Sequence, residues 1–75
     1  MDPQVTWNEM LEAVALQDWD QAVERAEALL DWMKNGGFPP QTSGIRMPRH
    51  WHRTMAEFGC LMTLQLVKKP RKHKH

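Results

Sequence analysis

The stretch Asp18 to Gly37, DWDQAVERAEALLDWMKNGG, carries a helix start, an apolar stripe and a helix stop in that order. Asp18 can accept hydrogen bonds from the amides that a helix start leaves unpaired, and Gln21, three residues on, can reach back to it. Trp19, Ala22, Val23, Ala26, Leu29, Leu30 and Met33 recur at helical spacing and so share one face. Asn35-Gly36-Gly37 tolerates the left-handed backbone in which helices commonly end. A helix over residues 19–35 follows, and the rest of the chain must be arranged to cover its stripe.

A second helix precedes it. Thr6 and Glu9 fit a capping box, and Val5 can pack on Met10 as a hydrophobic staple, which predicts a helix over residues 7–16 with Met1 to Gln4 as a frayed lead-in. Trp7, Met10, Leu11, Val14 and Ala15 are its expected inward stripe. Only Gln17 and Asp18 separate the two patterns, so the helices must pack as antiparallel neighbours. The spacing Trp7-x-x-Met10-Leu11-x-x-Val14, followed by Asp18-Trp19-x-x-Ala22-x-x-x-Ala26-x-x-Leu29, resembles one tetratricopeptide-type repeat. That resemblance, over residues 7–35, implies a helical pair that offers a surface to another protein.

Gly36 to Met47 is irregular, because Pro39 and Pro40 fix their own backbone and keep the residues before them out of the helical region. Phe38 and Ile45 are expected to clamp this loop over the core. Pro48 suits the first position of a third helix over about residues 48–67. Trp51, Met55, Phe58, Met62 and Leu66 recur at spacings of four, three, four and four and form its expected main buried face. Gly59 inside that helix costs roughly 1 kcal/mol against alanine, so a close approach of the second helix at Ala22 or Ala26 is expected there. Pro70 is expected to stop the helix, leaving residues 68–75, KKPRKHKH, as a disordered basic tail. The expected architecture is an all-α three-helix bundle: one domain over residues 1–67, then the tail.

Charge divides the chain. Residues 1–37 hold eight carboxylates against Arg25 and Lys34, a net of −6, while residues 38–75 hold eight basic side chains against Glu57, a net of +7. Two halves of opposite sign attract each other within one chain or between two, and a basic end also suits a polyanion. The nucleic-acid reading would use Arg46, Arg49 and Arg53 at the start of the third helix, with Lys68, Lys69, Arg71 and Lys72 of the tail.

Catalytic chemistry finds no constellation. Cys60 falls mid-helix in the most apolar segment, where a buried thiol behaves as a small hydrophobe. His50 and His52 point to different sides of a helix, and His52 and Cys60 stand two turns apart, so no catalytic residue, metal site or cofactor is expected. The single cysteine and the lack of a leader pattern point to a cytoplasmic location, and no apolar run reaches the roughly 20 residues of a membrane span. Four Trp and six Met are a heavy apolar load for 75 residues, more than three short helices readily hide. The expected function is therefore a small non-catalytic protein-interaction module, self-associating through the third helix. Trp32, Phe38, Phe58, Leu61 and Leu64 are its candidate interface residues. The alternative is a nucleic-acid-binding accessory protein. No membrane or small-molecule substrate is expected.

Overall fold

A computed structural model describes residues 1–71, with side chains described as far as Leu66. Its helices α1 (Pro3–Ala15), α2 (Trp19–Lys34) and α3 (Arg49–Arg71) form an all-α three-helix bundle with a Cα radius of gyration of 12.6 Å. No strand occurs among the described residues.

Helix α1 begins four residues earlier than the Thr6 box predicts. Asp2 is the cap: its Oδ1 accepts the amides of Gln4 and Val5 at 3.0 and 3.4 Å, and Pro3 occupies the first helical position. An aspartate followed by proline satisfies the free amides and presets the backbone together, so it outcompetes the later box. Thr6 turns its hydroxyl back onto the Asp2 carbonyl at 3.1 Å.

Both ends of the α1–α2 turn are closed by hydrogen bonds. The amides of Gln17 and Asp18 donate to the carbonyls of Val14 and Ala13 at 3.0 and 2.8 Å, with Gln17 held at φ 59°. The same double closure ends α2, where Gly36 and Gly37 donate to Met33 and Trp32 and Gly36 adopts φ 92°. Asp18 caps α2 as expected, accepting the Gln21 amide at 3.4 Å.

The core consists of Trp7, Met10, Ala26, Leu29, Met33, Ala56 and Cys60, with Leu30, Trp32 and Leu64 packed against it. Helix α2 turns its predicted stripe inward: Ala22, Ala26, Leu29 and Met33 are buried, and Trp19, Val23 and Leu30 are half-buried. Helix α1 is rotated from expectation, burying Thr6, Trp7, Met10 and Ala13 while Leu11 and Ala15 are exposed.

Helix α3 reverses expectation. Its buried residues are His52, Ala56, Cys60 and Thr63, and of the expected buried face Trp51, Phe58, Met62 and Leu66 are exposed while Met55 is half-buried. The hairpin fills the core with bulky side chains, so the α3 residues that enter the central cluster, Ala56 and Cys60, are small. Gly59 shows this directly: a Cβ there would stand 2.6 Å from Cη2 of Trp7. What the glycine admits is the indole of α1, not a backbone approach at Ala22 or Ala26. One turn on, the Thr63 hydroxyl lies 3.7 Å from Sδ of Met10.

Helix α3 also runs on to Arg71, past the expected stop. Pro70 lacks a backbone donor, but it falls in the last turn, where helical φ is still allowed to it. The remainder of the expected tail, residues 72–75, lies outside the described residues.

Candidate functional site

Two features of the surface follow from the way α3 is seated. The first is its outer face. Trp51, Phe58, Leu61, Met62 and Leu66 are between 41% and 58% exposed, and Met55 lies half-buried within the same stripe. Phe58 and Leu61, candidates from the sequence, lie on this exposed side. Leu64 and Trp32 lean against the core instead. Phe38 is exposed but not free: its ring meets Trp32 edge-on, with centroids 5.8 Å apart at 86°, and its carbonyl accepts the indole N–H at 2.8 Å. Gly37 is required beside this pair, because any Cβ there would run into the Trp32 ring.

Polar anchors hold α3 in this rotation. Arg53 donates from its two terminal nitrogens to the carbonyls of Met33 and Gly37 at 3.0 and 3.1 Å. A guanidinium at the carbonyl end of α2 adds donors to carbonyls at that end and lies at the negative end of the helix dipole. Arg53, expected among the phosphate contacts, is thus committed inside the fold. Its neighbour His52 is buried, and Nδ1 accepts the Thr42 amide at 3.0 Å, with the Thr42 hydroxyl at 3.1 Å. Neither role is visible in residue spacing; both depend on where the α2–α3 loop returns.

That loop is pinned by Pro40 rather than by the expected pair. Pro40 is fully buried, whereas Phe38 and Ile45 are exposed. Gln41 and Gln4 exchange hydrogen bonds, amide to Oε1 at 2.8 Å and Nε2 to carbonyl at 3.3 Å, which ties the loop to α1. Pro40 has no amide hydrogen to satisfy, so it can be buried more cheaply than a residue whose N–H needs a partner.

The second feature is a depression of about 260 Å³ between this loop and the start of α3, lined by Phe38, Pro39, Gln41, Arg46, Met47, Arg49 and His52. Arg46 and Arg49 are exposed here. The ion pairs among the described residues are those of Arg25, with Glu9 at 2.9 Å and Glu24 at 3.3 Å. Attraction between the acidic and basic halves therefore takes no form of a direct ion pair from Arg46, Arg49 or Arg53. The side chains of Lys68, Lys69, Arg71 and Lys72 lie outside the described ones.

Cys60 is fully buried, and its pKa is pushed up from 9.0 to about 12, first by burial and then by the Glu57 carboxylate. Such a thiol stays protonated and is a poor nucleophile. Among the described residues, no group of three His, Cys, Asp or Glu side chains is placed to hold a metal ion, and no helix is long and apolar enough to cross a membrane. No family model, curated protein or solved structure matches the chain.

Proposed function

We propose that this chain is a small non-catalytic interaction module that pairs with a second copy of itself through the outer face of α3. The observation that carries the reading is the exposure of Trp51, Phe58, Leu61, Met62 and Leu66 on one helix whose other face already fills the core. Five large side chains about half exposed present on the order of 400–500 Å² of apolar surface, the scale at which a patch on a monomer marks a contact. Two such faces together bury roughly 800–1,000 Å², close to the lower limit of a specific interface. Trp51, Met55, Phe58 and Met62 alternate by four and three residues, the spacing of a seam between paired helices. The opposite charges of the two halves let the acidic hairpin of one copy lie near the basic start of α3 in the other.

Light scattering on a sizing column, at low and at high salt, tests this. A dimer that persists in high salt and becomes a monomer on Phe58→Glu is expected, since apolar burial does not depend on released counterions. A wild-type monomer at every concentration and salt overturns the reading.

A further inference from the structure

The depression beside the α2–α3 loop has a chemistry of its own. Arg46 and Arg49 bring two permanent positive charges to its wall, and neither is neutralised by an ion pair among the described residues. His52 is a built-in part of the same wall, only 6% exposed. A backbone N–H can only donate, so the Thr42 amide fixes Nδ1 of His52 as an acceptor and places the ring proton on Nε2. That Nε2–H has no hydrogen-bond partner among the described residues. Among the described residues no buried polar side-chain atom is left enclosed and unsatisfied, so Nε2 keeps contact with open space, and His52 is one of the residues that line this depression. No carboxylate stands in the wall to oppose an anion; Phe38, Pro39 and Met47 complete it with apolar surface.

We propose that the depression binds a small phosphate monoester. The phosphoryl oxygens would be held by the guanidinium groups of Arg46 and Arg49 and by the Nε2–H of His52. Its organic body would rest on Phe38, Pro39 and Met47. Two guanidinium groups match the charge of a dianion, and their planar forks suit tetrahedral oxygens, each able to bond two of them. A cavity of about 260 Å³ also has room beyond one phosphoryl group, which is why the ligand carries an apolar body.

Titration of the isotope-labelled protein with phenyl phosphate, followed by amide and imidazole NMR shifts, tests the site. The expected result is saturable one-to-one binding with shifts centred on Thr42, Arg49 and His52. The double variant Arg46→Gln/Arg49→Gln changes two exposed side chains and keeps the fold, which its unchanged shifts elsewhere verify. It is expected to bind at least about tenfold more weakly. Non-saturating shifts, or equal affinity in the double variant, overturn the proposal. Equal affinity for benzoate overturns the phosphate assignment, and equal affinity for inorganic phosphate overturns the role of the apolar wall.

Discussion

Helices α2 and α3 carry apolar stripes of similar regularity, and the fold turns one inward and the other outward. In α2 the large residues Leu29 and Met33 enter the core and the charged residues face water. In α3 the buried residues are His52, Ala56, Cys60 and Thr63, while Trp51, Phe58, Leu61, Met62 and Leu66 remain exposed. Periodicity states which residues share a face, but burial depends on the volume already filled by the other elements. The α1–α2 hairpin supplies the bulk with Trp7, Met10, Leu29 and Met33, so the third helix needs a thin side. The thick side is left over, and that surplus is the surface on which the proposed pairing rests.

The contrast can be broken most severely at Ala56. Leucine there is expected to cost about 2–3 kcal/mol of unfolding free energy, because a closed interface has no room for three more carbons. Urea denaturation measures it, and a neutral Ala56→Leu would mean that the small face of α3 is not the packed one.

Gly59→Ala sharpens the same point with a smaller loss, about 1–2 kcal/mol, in which displacement of the Trp7 indole outweighs the roughly 1 kcal/mol that alanine contributes to helix propensity. With Trp7 shortened to leucine, the same Gly59→Ala change is expected to become neutral or stabilising. A loss that persists in that background would show that something other than the indole crowds the glycine.

At Cys60 the expected cost of alanine is about 1 kcal/mol at neutral pH, the loss of one buried sulfur. A pH dependence accompanies it. The folded thiol holds its proton up to about 12 while the unfolded one releases it near 9.0, so this contribution to stability is intact below pH 9 and is lost as pH rises toward 12. Unfolding midpoints of wild type and Cys60→Ala should therefore meet soon above pH 9 and then cross, with the alanine variant the more stable toward pH 12, because the loss over that window exceeds the roughly 1 kcal/mol of the buried sulfur. Parallel curves would place the thiol in water.

The smallest effect is expected on the outer face. Phe58→Gln should change the stability of the monomer by less than about 0.5 kcal/mol in dilute solution, where pairing does not contribute. A loss of several kcal/mol would return Phe58 to the core and erase the difference between the two helices.

Much of the candidate surface was legible before the structure, for uneven reasons. Phe58 and Leu61 were candidates because α3 is too apolar to be covered by one hairpin, and both are exposed. Trp51, Met62 and Leu66 were assigned to the core by the same periodicity that placed Leu29 and Met33 correctly, since the pattern is silent about which side is already occupied. Arg53 read as a phosphate contact because its partners, the carbonyls of Met33 and Gly37, are backbone groups that no side-chain pattern announces. The roles of His52 and Thr42 depend on a loop whose path is set by Pro40 and the Gln4–Gln41 pair.

The amino-acid sequence by itself determined three helices, the tight antiparallel turn at Gln17 and Asp18, the stop at Gly36 and the inward face of α2. Caps, glycines and periodicity act within a few residues of one another, so their consequences are local and can be read locally. Only the tertiary structure decided the rotation of α3, the burial of Pro40 in place of Phe38 and Ile45, and the gathering of Arg46, Arg49 and His52 around one depression. Those outcomes rest on volume shared among distant segments, with Trp7 lying over Gly59 and Arg53 reaching the end of α2, and no single stretch of chain contains that information.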